Sequence, residues 1–230
     1  MQAIILSAGR GTRMGELTDA IPKPMLEVEG KTLLEHKFDS LPPVVDEVIF
    51  VVGYHKEIIQ KKFGKEFQGR KITYVVQDTL DGTMGALALA KDILHDRFFI
   101  LMGDDLYCRA DMERMLQNKD WSLVVWKTQS MASGGKIIVE NGFITEIKEG
   151  DHRGTEGLMC TNLFLLDTRI FSFPMVPKSE GSEEYGLPQT VLKASQSGNI
   201  PFHAVEGVAW FQVTAPEDLP NALAWLSKRN

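Results

Sequence analysis

The sequence predicts an α/β protein, with a doubly wound, mostly parallel sheet that continues into a mixed-sheet second half. Three observations carry this. Short, nearly continuous apolar runs recur through roughly the first 130 residues, as strands covered on both faces require. Helical patterns separate these runs at the spacing of strand–helix–strand units. Beyond that point the pattern changes to alternating runs around an Asn-Gly pair, the signal of an antiparallel hairpin.

Taken in order, strands are expected at Ala3–Leu6, Glu47–Val52, Ile72–Val76, Phe98–Met102 and Ser122–Trp126. Helices are expected between them at Thr32–Ser40, Lys56–Phe63, Thr83–Leu94 and Asp111–Gln117. "GKIIVENGFITEI", from Gly135, reads as a hairpin turning at Asn141-Gly142, and "LMCTNLFLLD" as a long strand. A helix around Glu183–Ser197, strands in "FHAVEG" and "VAWFQV", and a closing helix over Pro216–Lys228 complete the chain. No Pro/Gly/Ser-rich linker, internal repeat or low-complexity segment interrupts it. One domain spanning the 230 residues is therefore expected, its two halves meeting near residue 130.

Apolar residues make up 43% and charged residues 24%, an ordinary globular balance. The net charge of −6 argues against nucleic acid or an anionic membrane as a partner. On that acidic background the basic cluster of Arg10, Arg13 and Lys23 is informative. The two cysteines, Cys108 and Cys160, lie far apart and fit a reducing compartment. "MQAIILSAG" has no basic leader region, and no run approaches transmembrane length. A cytoplasmic protein is expected.

The stretch "LSAGRGTRMGELTDAIPKPML", from Leu6 to Leu26, is the first candidate site. Gly9 and Gly11 form G-x-G, but Met14 stands where the dinucleotide fingerprint needs a third glycine or alanine, and no Gly-Lys-Ser/Thr ends the loop as in a P-loop. Glycines let backbone amides approach a polyphosphate. Arg13 offers a planar fork for phosphate oxygens and Lys23, fixed between Pro22 and Pro24, a point charge.

"SAGRGTRM…PKPM" resembles the signature of the sugar-phosphate nucleotidyltransferase family, G-x-G-[ST]-R-[LM] followed by P-K-P. The family's enzymes join a nucleoside triphosphate to a sugar 1-phosphate and release pyrophosphate. The resemblance implies a Rossmann-like nucleotide-binding half and a mixed-sheet sugar-binding half. It implies nucleotide contacts at Leu6, Ala8, Gly9, Arg10, Gly11, Thr12 and Arg13. "QDTLDGTMGAL" resembles the base-reading segment, implying contacts at Gln77, Gly82 and Thr83. "FFILMGDDLY" resembles the family's G-D-[DN], making Asp104 a ligand of Mg²⁺, with Asp105 a secondary candidate. The catalytic set implied is Arg13, Lys23 and Asp104.

The second half is similar to the family in part. "GGKIIVENGFITEIKEG" resembles its sugar segment, placing Gly134 or Gly135 and Glu149 against the sugar. The lysine that follows this glutamate in the family is replaced by Gly150, and Lys148 belongs to the opposite face of a strand. "CTNLFLLD" resembles the strand flooring the sugar pocket, implying Cys160 and Thr161 as neighbours, with Asn162 where glycine is usual. "WFQVTAPEDL" resembles a segment whose aspartate is the second metal ligand, and here that position is Gln212. Three readings follow: transfer to a sugar 1-phosphate, cytidylyl transfer to phosphocholine or another phospho-alcohol, and a non-catalytic nucleotide-sugar sensor or partner subunit.

Overall fold

The computed structural model describes residues 1–131 and 135–227. In chain order the strands are β1 (Gln2–Ser7), β2 (Glu27–Val28), β3 (Lys31–Thr32), β4 (Glu47–Val52), β5 (Glu66–Phe67), β6 (Arg70–Val76) and β7 (Arg97–Met102). They continue with β8 (Asp105–Tyr107), β9 (Trp121–Thr128), β10 (Lys136–Glu140), β11 (Phe143–Lys148), β12 (Gly157–Asp167), β13 (Phe202–Glu206) and β14 (Trp210–Gln212). The helices are α1 (Leu33–Ser40), α2 (Lys56–Phe63), α3 (Thr83–Ala88), α4 (Arg109–Met115), α5 (Leu187–Gly198) and α6 (Asp218–Ser227). Among the described residues no helix is long and apolar enough to cross a membrane.

Ten strands form one sheet in the order β10-β11-β13-β9-β12-β7-β1-β4-β6-β5. Its centre, β7-β1-β4-β6, is parallel. Successive residues of these strands point to opposite faces, and both faces are covered. Ile4, Ile49, Val51, Phe98 and Ile100 enter one core cluster. Ala3, Ile5, Val48, Phe50, Phe99 and Leu101 enter the other. This double burial is why the runs are apolar at every position. The chain winds from β1 outward to β6 and then returns to β7 on the other side of β1. The crevice at the carboxyl ends of β1 and β7 is therefore the switch point where such sheets bind ligands.

The strand expected at Ser122–Trp126 does not extend this parallel set. It lies in β9, separated from β7 by β12, which runs antiparallel to both. β12 comes from the second half of the chain and pairs with β7 on one side and β9 on the other, so the two halves share one sheet. The expected hairpin forms between β10 and β11, with Asn141 and Gly142 both at positive φ (51° and 84°), as a type I′ turn needs.

Several helix boundaries differ from expectation for local reasons. The segment expected as helix over Thr83–Leu94 leaves the α-helix after Ala88, where the Ala90 amide turns to the Leu87 carbonyl (3.0 Å) and tightens the chain toward β7. The helix expected from Glu183 begins at Leu187, with Pro188 in its first turn. Residues ahead of it are committed elsewhere, the Tyr185 amide donating to the Asp81 carbonyl at 2.7 Å. α4 starts at Arg109 rather than Asp111, and α6 at Asp218 rather than Pro216, the Asp218 carboxylate accepting from the amides of Thr214 (2.7 Å) and Ala215 (2.9 Å). Lys228 lies outside the described residues. α1 starts at Leu33, one residue later than expected, because Thr32 is its N-cap and forms a capping box with Glu35.

A third, smaller core cluster joins distant parts of the chain. Met14, from the glycine-rich loop, packs with Leu26, Val28, Leu33, Leu106, Val213 and Ala222. Behind the opposite wall of the crevice, Gly82 precedes α3 at φ 101°, and a Cβ there would lie 2.3 Å from the Tyr185 carbonyl oxygen. Both conformation and space thus demand glycine. Gly82→Ala is expected to cost about 2 kcal/mol and to lower the melting temperature by ~4–8 °C, measured by thermal denaturation.

Candidate active site

β1 runs directly into the glycine-rich loop. Gly11 begins a 3-10 turn (Thr12–Thr18) with left-handed backbone, φ 74° and ψ 44°. A Cβ on it would stand 2.7 Å from the Cβ of Lys23. The Thr18 hydroxyl, 3.2 Å from the carbonyls of both Gly11 and Gly15, ties the loop to itself. Lys23, only 5% exposed, passes beneath and donates to Asp104 Oδ2 at 2.8 Å. The sequence placed both residues in the site but did not reveal that they pair.

Asp104 stands just past β7 because of Gly103. The Gly103 amide donates to the Leu6 carbonyl (2.8 Å), and a Cβ there would meet Ser7 Oγ at 2.6 Å and Pro24 Cγ at 2.9 Å. From below, the fully buried Lys37 of α1 donates to the Gly103 carbonyl at 2.8 Å and to the Leu33 carbonyl at 3.2 Å. Burial lowers its pKa, partly offset by the nearby charges of Asp104 and Asp105.

Asp105 is not a second ligand. It is fully buried, and its Oδ2 accepts from Trp210 Nε1 (3.1 Å) and Tyr107 Oη (3.3 Å). Burial first, and the Asp104 charge second, raise its pKa. Strand alternation is the reason, since adjacent residues leaving β7 and entering β8 take opposite sides.

A cavity of about 460 Å³ opens at the ends of β1 and β7. It gathers Leu6, Ala8, Gly9, Arg13, Gln77, Gly82, Thr83, Asp104, Gly135, Glu149, Cys160 and Gln212, all named by the sequence. An adjoining cavity, also about 460 Å³, adds Gly11, Thr12 and Lys23 and shares Leu6, Gly9, Arg13, Asp104 and Glu184 with the first. Gln77 is 5% exposed, and its amide nitrogen is held by Asp81 Oδ1 (2.9 Å) and the Gly82 carbonyl (3.4 Å). Among the described residues its carbonyl oxygen has no such partner. The Thr83 hydroxyl accepts from the Leu187 amide (2.9 Å), joining α3 to α5.

Two expected contacts are not brought to the cavities. Arg10 pairs with Asp19 (3.2 Å) and lies over the Tyr54 ring, 5.4 Å from its centroid. Thr161 is fully buried, its hydroxyl donating to the Val124 carbonyl at 2.7 Å. A bulge in β12 between Cys160 and Phe164 turns it inward and presents Asn162 instead, at φ 56°. Asparagine tolerates that left-handed backbone, which accounts for its standing in a glycine's usual place. Gly134 lies outside the described residues.

At the far end, a Cβ on Gly135 would come 3.0 Å from Glu149 Oε1, which also accepts from Gln189 Nε2 at 2.7 Å. The Cys160 thiol donates to Asn162 Oδ1 (3.4 Å), and burial pushes its pKa up to about 12, so it is a neutral neighbour. Lys148 pairs on the surface with Glu146 (3.3 Å). Lys178, Glu184, Gly186, Pro188 and Gln189 also line the main cavity. None was named from the sequence, where "PKSEGSEEYGLPQ" reads only as a polar loop and helix start. Lys37 did leave a signal, being a lysine in the stripe of Leu33, Leu34, Phe38 and Leu41 that α1 buries.

The model of the nucleotidyl transferase family matches residues 2–127. The UTP–glucose-1-phosphate uridylyltransferase AglF of Haloferax volcanii is 29% identical over 96% of this chain and 95% of its own length. The bifunctional protein GlmU of Methanocaldococcus jannaschii is 31% identical over 98% of this chain, which spans 54% of that protein. Among solved structures, a glucose-1-phosphate thymidylyltransferase-like protein from Bacillus anthracis superposes with a TM-score of 0.82 at 22% identity, over 97% of this chain and 94% of its own.

Lys37→Met leaves the Gly103 carbonyl without its donor and Asp105 without a nearby cation. It is expected to reduce unfolding free energy by about 2 kcal/mol in urea titrations. In a double-mutant cycle with Asp105→Asn, the two effects are expected to differ from additivity by at least about 0.5 kcal/mol.

Proposed function

Since the chain belongs to the nucleotidyl transferase family, we propose that it transfers a nucleotidyl group from a nucleoside triphosphate to a sugar 1-phosphate, in the cytoplasm. The observation that carries this reading is the shared lining of the two cavities. Arg13 and Asp104 border both the glycine-loop side and the side that holds Gly135 and Glu149. A triphosphate along the loop and a hydroxylated phosphate ester against Glu149 would meet beside Asp104.

The acceptor's phosphate oxygen is already an anion at neutral pH, so no general base is needed. It forms a bond to the α-phosphorus as the bridging P–O bond breaks, and the electron pair leaves with pyrophosphate. Catalysis then consists of positioning and of neutralising charge. Gly9 and Gly11 let the loop approach the phosphates. Arg13, exposed at the junction, neutralises the leaving pyrophosphate. Lys23 faces the α-phosphate region and holds the Asp104 carboxylate in place.

Among the described residues no cluster of three His, Cys, Asp or Glu side chains could hold a metal alone. The donors present are one carboxylate, Asp104, and one amide, Gln212. They fit a magnesium ion bound largely through substrate phosphates and water. Such an ion would supply charge neutralisation at the phosphates. A phospho-alcohol acceptor is the second reading, favoured by Gly150 in place of the sugar segment's lysine.

Pyrophosphate release with each of the four triphosphates against a panel of sugar 1-phosphates and phospho-alcohols tests the assignment. Turnover with phosphocholine alone would sink the sugar reading. Arg13→Ala is expected to lower kcat/KM by about 100-fold or more while the melting temperature stays within about 2 °C. Gln212→Asp is expected to lower the Mg²⁺ concentration giving half-maximal turnover, because it adds a charged ligand oxygen.

A further inference from the structure

The acceptor end of the main cavity carries an electrostatic problem. Its lining includes three carboxylates, Asp104, Glu149 and Glu184, against two cations, Arg13 and Lys178. Lys23 is already spent on Asp104 at 2.8 Å. An incoming phosphate ester is a dianion near neutral pH. Unless another cation meets it, that dianion faces mostly like charge.

We propose that Lys178 is the residue that binds the acceptor's phosphate, with Glu184 holding its ammonium until the ligand arrives. This rests on the transfer reading for the identity of the acceptor, but its geometry is independent of it. Lys178 Nζ lies 3.2 Å from Glu184 Oε2. Glu184 lines both the main cavity and the glycine-loop cavity, as Arg13 and Asp104 do. The Lys178 ammonium, in the lining of the main cavity, is thus held by a carboxylate that borders both cavities, within reach of an acceptor phosphate placed beside Asp104.

The backbone that carries Lys178 is clamped in place. The Lys178 amide donates to the Glu184 carbonyl (2.8 Å), and Pro177 and Tyr185 form a β-bridge. The Tyr185 amide in turn bonds the Asp81 carbonyl (2.7 Å), and the Met84 amide bonds the Tyr185 carbonyl (3.0 Å). The loop is thus stapled to the turn that carries Gly82, so Lys178 is presented from a fixed base. Its side chain is 59% exposed and that of Glu184 is 52% exposed. An ion pair so open to water contributes little, and a phosphate dianion, with more charge and more acceptor oxygens, displaces the carboxylate. Gln189 supports the same reading. Its Nε2 donates to Glu149 Oε1 at 2.7 Å, so Glu149 is already engaged and Glu184 is the carboxylate left beside Lys178.

The test measures binding without turnover. Glucose 1-phosphate, phosphocholine and inorganic phosphate are titrated calorimetrically into wild type, Lys178→Ala, Lys178→Arg and Glu184→Gln. Nucleoside triphosphates are titrated separately. Expected is a tenfold or greater loss of affinity for the bound phosphate ester in Lys178→Ala, retention within threefold in Lys178→Arg, and tighter binding in Glu184→Gln. Triphosphate affinity is expected to stay within twofold throughout. Unchanged ester affinity in Lys178→Ala, equal losses of ester and triphosphate, or a wild type that binds none of the three anions would each overturn the proposal. Lys178-dependent ester binding without pyrophosphate release would instead overturn the transfer reading and leave this one standing.

Discussion

The contact between Lys23 and Asp104 depends on an unusually close meeting of two strand ends. Gly103 brings the end of β7 against Leu6 and Ser7 of β1, with no room for a side chain between them. Asp104 can then face Lys23 across the loop at 2.8 Å, while Lys37 anchors the same turn from beneath. Two buried lysines and two adjacent aspartates thus share a small volume, with the aspartates sent to opposite sides by strand alternation. Asp104 turns to the cavity and Asp105 to Trp210 and Tyr107. The glycine loop inherits its shape from this arrangement, because Gly11 lies directly on the Lys23 side chain.

How much of this could be read from the chain varied with the range of the forces involved. The parallel strands were legible because burial on both faces leaves a local mark, the unbroken apolar run. The Asn141-Gly142 turn was legible because only a few residues accept two successive positive φ angles. The place of β9 was not, since it is set by β12, which arrives some thirty residues later. The start of α5 depends on hydrogen bonds between residues about a hundred positions apart, such as that from the Leu187 amide to the Thr83 hydroxyl (2.9 Å).

The candidate site divides in the same way. Gly9, Arg13, Lys23 and Asp104 come from short motifs and stand together. Thr161 was misjudged because a bulge exchanges it with Asn162, and strand periodicity gives no warning of a bulge. Arg10 was grouped with its neighbours by charge and by the motif that contains it, yet Tyr54 and Asp19 draw it away. Lys178 and Gln189 belong to a loop and helix whose sequence carries no motif, and only the fold brings them to the main cavity.

The small third cluster has a consequence for how the molecule is made. Met14 sits in the glycine-rich loop, yet Val213 and Ala222, against which its cluster closes, are synthesised some 200 residues later. A ribosome adds about 5–20 residues each second, so for roughly ten seconds or more the nascent loop lacks part of its apolar floor. The shape of the glycine-rich loop is therefore completed only once residues some 200 positions further along the chain have emerged. A half-made chain carries the motif without the pocket.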